Sequence, residues 1–149
     1  PHTVFAGAAH VSIEVFLDSL VEMNFALTRD HSFVVISMSY VQRVISGRKL
    51  MVTWSNIYRL LLASTLCSIK YHADELLFNS EFARLIGLTI HDVNSLELGF
   101  LCLLQFGLYT SEEESAFWVD CSLALTFSRY MWMSEMISRG GQHSLSVLL

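Results

Sequence analysis

The stretch Ile57–Leu108, IYRLLLASTLCSIKYHADELLFNSEFARLIGLTIHDVNSLELGFLCLLQFGL, decides the fold. Ile57, Leu60, Leu61, Leu62, Ala63, Leu66, Cys67 and Ile69 cover every side of a helix rather than one stripe. A helix with that profile sits in the middle of a bundle. Thr53 is its expected N-cap and Ala73 its approximate end. Ala63, Ser64, Thr65 and Ser68 are small and let neighbours approach closely. A second apolar helix is predicted from Thr89 to Gln105, with Thr89 and Asp92 at capping-box spacing. Val93, Leu96, Phe100, Leu101 and Leu104 form its core stripe. Each helix carries one conspicuous charge, Lys70 late in the first and Glu97 midway along the second.

Further helices follow on either side. Ile13, Phe16, Leu17, Leu20 and Val21 share one face of a helix predicted over Ser12–Ala26, with Glu14, Asp18 and Glu22 on a wet face. Phe33, Ile36, Tyr40, Val41 and Val44 recur at three and four over Ser32–Ser46. A short helix spans about Ser80 to Ile86, capped by Asn79 or Ser80 and closed by Gly87. Ser111 and Glu114 repeat the capping-box spacing and open a sixth helix toward Ile137. Residues 1–11 read as an arm, either a short helix or extended chain, and residues 110–149 as a C-terminal helix and tail. The expected class is all-α.

The chain has 149 residues, 53% of them hydrophobic and 15% charged. A membrane span needs roughly 20 apolar residues without charge. Leu98–Ser111 is uncharged but too short, and Glu97 and Glu112 bound it. The apolar excess therefore points to helices buried on most sides plus a patch for a partner. The net charge is −5, and the nine basic residues are scattered, which argues against nucleic-acid binding. Cys67, Cys102 and Cys121 lie in apolar sequence without a Cys-x-x-Cys pair and read as buried free thiols in a reducing compartment. The expected setting is intracellular, cytoplasm or nucleus. A start at Pro1 without methionine reads as a trimmed chain.

No phosphate loop, Gly-x-Ser-x-Gly elbow or zinc-type spacing is present. His72 and His91 flank the central helices without a second ligand at metal spacing, and Glu112–Glu114 reads as a solvated helix start. No cofactor, metal or catalytic residue is expected.

Three motifs in order resemble the cyclin box. Ser68-Ile69-Lys70-Tyr71 is similar to its third-helix signature. Leu96-Glu97-x-x-Phe100-Leu101 is similar to the fifth-helix signature, and Tyr40-Val41-Gln42-Arg43 resembles the Tyr-x-Asp-Arg motif of the second helix. Asn56–Ser64 and Phe78–Phe82 most resemble the phosphate-pathway, or P/U-type, cyclins. The resemblance implies a five-helix cyclin box over residues 12–109 with an additional C-terminal helix. It also implies a non-catalytic regulatory subunit that binds and activates a cyclin-dependent kinase by holding its αC helix in the active position. By the same resemblance the kinase-binding residues are Lys70, Tyr71, Glu97, Leu101, Phe106 and Leu108.

Two departures matter. Gln42 stands where most cyclins carry an acid. Phe16-Leu17-Asp18-Ser19-Leu20 lacks the Met-Arg-Ala-Ile-Leu patch with which cell-cycle cyclins dock substrates. The chain is also expected to end before a full second box. From the residues alone, Lys70 could equally reach to water and Glu97 could pair with it internally. The alternative function is a cyclin-fold scaffold or adaptor in transcription that activates no kinase, which a basic face would mark. An all-α enzyme with an apolar pocket would instead need converging buried polar groups.

Overall fold

The structure, a computed structural model, describes residues 12–30, 32–47, 50–74, 76–114 and 116. Five helices lie among them: α1 (Ile13–Thr28), α2 (Ser32–Ser46), α3 (Ile57–His72), α4 (Asn79–Ile86) and α5 (Ile90–Leu104). There is no strand among the described residues, and the fold is all-α. The arm at 1–11, and the sixth helix beyond its first turn with its tail, lie outside the described residues. Among the described residues, no helix is long and apolar enough to cross a membrane.

Every residue of α3 from Leu60 to Ile69 is buried. The helix is wrapped mainly by α2 and α5. Small residues permit the close approach, and their hydroxyls turn back to backbone. Ser64 Oγ donates to the Leu61 carbonyl at 2.9 Å. Ser68 Oγ reaches the Thr65 carbonyl at 2.9 Å and the Phe33 carbonyl at 3.0 Å, tying α3 to the start of α2. Phe16 of α1 meets Tyr58 edge-on with ring centroids 4.8 Å apart.

The caps explain the element ends. Ser12 Oγ accepts from the Val15 N–H, and Thr89 Oγ1 from the Asp92 N–H at 3.1 Å. Gly87, at φ 74°, closes α4 in the left-handed region that glycine enters without strain. Ser111 Oγ accepts from the Glu114 N–H at 3.1 Å and opens the next helical turn.

Three expectations need correction. α1 runs two residues past Ala26, because Thr28 Oγ1 bonds back to the Asn24 carbonyl at 2.9 Å and keeps the last turn closed. α3 starts at Ile57 rather than near Thr53. Thr53 enters a turn in which Asn56 Oδ1 accepts its N–H at 2.8 Å, and Asn56 Nδ2 donates to the Met51 carbonyl at 2.9 Å. Cys102 is exposed, not buried, because α5 turns that face away from α3; Cys67 is buried and Cys121 lies outside the described residues. Gln42 is buried and donates to Ser46 Oγ at 3.0 Å, within its own helix.

Burial pushes the Cys67 thiol up to about 12, with the nearby Glu97 carboxylate adding to the effect and Lys70 opposing it. Iodoacetamide followed by peptide mapping should modify Cys102 in the native protein and Cys67 only in denaturant. Thr65 Oγ1 is fully buried without a hydrogen-bond partner. Thr65→Val removes that unsatisfied hydroxyl at nearly constant shape and should stabilise the fold by about 1 kcal/mol. A melting temperature at or below that of the parent would count against this assignment.

Candidate functional site

Lys70 sits in the last turn of α3, where the buried helix first reaches solvent. Its Nζ donates to Glu97 Oε1 of α5 at 2.5 Å and to Asn79 Oδ1 of α4 at 3.1 Å. Asn79 Nδ2 in turn donates to Glu97 Oε2 at 2.6 Å and to Asn94 Oδ1 at 2.8 Å. Four side chains from three helices thus close one polar cluster. The Lys70 side chain is 34% exposed and that of Glu97 16%. An ammonium has three N–H donors, and two are used here, so one remains available for an outside acceptor.

Asn79 does not cap α4, as its position suggests. It is the first helical residue, and its amide is spent on the cluster. The start of α4 is served instead by Glu81, whose Oε2 accepts the Phe78 N–H at 3.4 Å.

Three of the four cluster residues have a large exposed apolar neighbour in sequence: Tyr71 beside Lys70, Phe78 beside Asn79 and Leu98 beside Glu97. Phe106, 64% exposed, follows α5, and its N–H donates to the Leu101 carbonyl at 2.9 Å. Leu101 and Leu108 are half-buried and pack on the core. Large apolar side chains left in water around a partly buried ion pair have the make-up of a protein interface, with anchors around a polar point that fixes register. Among the described residues, no group of three or more His, Cys, Asp or Glu is placed to hold a metal.

Of the six residues singled out in the sequence, Lys70 and Glu97 are in direct contact, and Tyr71 adjoins them. Leu101 and Phe106 are joined through backbone. Leu108 is placed differently, its carbonyl accepting the Tyr40 hydroxyl at 2.6 Å. Sequence reasoning missed Asn79, Asn94, Phe78 and Leu98. The one available signal was helical phase, because Asn94 lies three residues before Glu97 and shares its face.

A second polar assembly ties α2 to the chain that follows α5. Arg43 of α2 donates to the carbonyls of Gly107 and Tyr109, each at 2.9 Å, and to both Glu114 carboxylate oxygens at 3.0 and 2.6 Å. The Tyr40 hydroxyl lies 2.9 Å from His72 Nε2. Burial raises the Tyr40 phenol to about 12. It also holds His72 below the usual imidazole range, opposed by the Leu108 carbonyl and reinforced by Arg43.

The cyclin family model matches residues 1–108. Cyclin-P2-1 of Oryza sativa subsp. japonica is 39% identical over 77 residues, 52% of this chain and 36% of its own length. Cyclin-U2-1 of Arabidopsis thaliana is 31% identical over 100 residues, 66% of this chain and 45% of its own. The PHO85 cyclin-like protein psl1 of Schizosaccharomyces pombe is 33% identical over 69 residues, 46% of this chain and 28% of its own. The chain therefore spans less than half the length of each of these relatives. No solved structure matches it. With a family match across all five helices, and P-type, U-type and PHO85 cyclins as relatives, the chain belongs to the cyclin family.

Proposed function

We propose that this chain is a non-catalytic regulatory subunit of a cyclin-dependent protein kinase of the PHO85 type. It binds the kinase αC helix and holds it in the active position. A kinase of this class is competent only when a glutamate on αC pairs with the catalytic lysine. An activator must therefore bind the active placement better than the inactive one, because only differential affinity shifts the equilibrium.

The observation that carries the reading is the Lys70–Glu97–Asn79 cluster, whose members are flanked in sequence by exposed Tyr71, Phe78 and Leu98, in a chain of the cyclin family. In this proposal Lys70 gives its remaining N–H to a backbone carbonyl beside the kinase helix. Glu97 accepts a backbone N–H and holds Lys70 in place. Tyr71, Leu101 and Phe106 supply apolar contact, and Leu108 supports them from the rim. The internal pairing of Lys70 with Glu97 is compatible with this role, because a charge already oriented in the free chain loses less freedom on binding.

Lys70→Glu tests the proposal. It replaces the donor with a second carboxylate beside Glu97 and removes the bond to Asn79. Losing one member of a desolvated charged contact costs about 2–5 kcal/mol, roughly a 30- to several-thousand-fold loss of affinity. Losing a partly exposed ion pair costs the fold only about 1 kcal/mol. Calorimetric melting beside affinity for a co-purified kinase separates the two effects. A variant that folds and binds at parental strength refutes the site.

Substrate choice should not run through α1. Its apolar residues Phe16, Leu17 and Leu20 are buried against the core, while Asp18 and Glu22 are exposed. An excess of a short Arg-x-Leu peptide should therefore leave substrate phosphorylation by the assembled kinase unchanged. Inhibition by that peptide would show a docking groove on this helix.

A further inference from the structure

Two successive residues after α5 stand in the left-handed region although neither is glycine: Gln105 at φ 54° and Phe106 at φ 58°. Side chains of L residues avoid that region, and such residues persist there only when their surroundings over-determine them. Part of the constraint is local. The Gln105 N–H donates to the Cys102 carbonyl at 3.1 Å and the Phe106 N–H to the Leu101 carbonyl at 2.9 Å, a Schellman closure with glutamine where glycine is usual. The other part is remote, and it comes from α2. The carbonyls of Gly107, Leu108 and Tyr109 accept in turn from Arg43 Nη1, the Tyr40 hydroxyl and Arg43 Nη2. Arg43 also binds both carboxylate oxygens of Glu114, which joins the next helical turn to the same grip. The single proton of the Tyr40 hydroxyl goes to Leu108, so His72 Nε2 must donate to that hydroxyl and hold it in place.

We infer that Tyr40 and Arg43 are positioning residues for the partner surface. By gripping three successive carbonyls they hold Phe106 in its left-handed conformation, with its side chain exposed. Neither need touch the partner: Tyr40 is fully buried, and most of the Arg43 N–H groups go to acceptors within the chain. A Phe106 released from this grip must be ordered again on binding, which lowers affinity by the fraction of time it is misplaced. The inference rests on the proposed kinase-binding role of this face. It adds that the face is set by residues of another helix, α2, bonded to the turn's carbonyls.

The test is a double-mutant cycle. Tyr40→Phe and Arg43→Gln are each made in the parental chain and in Phe106→Ala, and affinity is measured for a recombinant PHO85-type cyclin-dependent kinase. Amide hydrogen exchange on the free chain supplies a second readout that needs no kinase. The expected result is a loss of roughly tenfold in the parental background and little further loss once Phe106 is absent. Amides 105–109 should exchange at least about tenfold faster while those of α3 stay protected. Arg43→Lys should not rescue, because one ammonium cannot serve two carbonyls and a carboxylate in this fork geometry. Equal losses in both backgrounds, with α3 exchanging faster too, would reduce Tyr40 and Arg43 to general scaffold and overturn the inference. A parental chain that binds no kinase would sink the functional reading instead. Unchanged exchange at 105–109 would then overturn the grip by itself.

Discussion

A ten-residue run of α3, Leu60 to Ile69, has no side facing water, and the other helices are arranged by that constraint. A helix apolar all round cannot rest on a surface; it must be enclosed. Leucines and isoleucine supply the area, and each fully buried side chain of that kind contributes about 1.5–3 kcal/mol. Ala63, Ser64, Thr65 and Ser68 set how closely the neighbours approach. The serines keep their hydroxyls satisfied on backbone carbonyls, so small size is gained without leaving those polar atoms bare. Enclosure also decides where α3 can be polar. Its charged side chains are confined to Arg59 before the buried run and Lys70 after it.

The end of α5 answers to a different constraint. There the chain leaves a helix through two non-glycine residues in the left-handed region and is held by side chains from α2. Apolar burial has little purchase on such a turn, because Phe106 and Tyr109 both point into water. Hydrogen bonds to carbonyls take its place, and an arginine can make several in fixed directions where a lysine offers a single point charge. The box thus has an apolar centre that fixes where helices lie and a polar clasp that fixes how the last one ends.

Much of the helical frame could be read in advance. The bounds of α2 fall at Ser32 and Ser46 as its three-and-four spacing indicates, and Thr89, Gly87 and Ser111 close or open their helices as their types suggest. The start of α3 misled because Thr53 has cap chemistry, yet its hydroxyl pairs with Ser55 Oγ at 2.8 Å and residues 54–56 form a turn ahead of the helix. Lys70 and Glu97 stood out because charges are rare in such apolar sequence. Asn79 and Asn94 did not, since an asparagine carries no periodic signature and becomes informative only when its partners are known. The same limit hid the clasp. The Tyr40–Arg43 motif was visible, but its acceptors are carbonyls of residues 107–109, and a backbone carbonyl looks alike at every position. Cys102 illustrates the converse: continuous apolar sequence does not say which face of α5 meets α3.

The closure of Lys70 on Glu97 also bears on how encounters with this surface proceed. The two formal charges cancel at 2.5 Å, so an approaching molecule meets a dipole, whose field fades much faster with distance than that of a free charge. Long-range steering, which lifts association far above about 10^5–10^6 M−1 s−1, has little to act on at this spot. Discrimination between partners then falls to how long each stays, through the fit of apolar side chains and the one remaining N–H of Lys70, rather than to how fast it arrives.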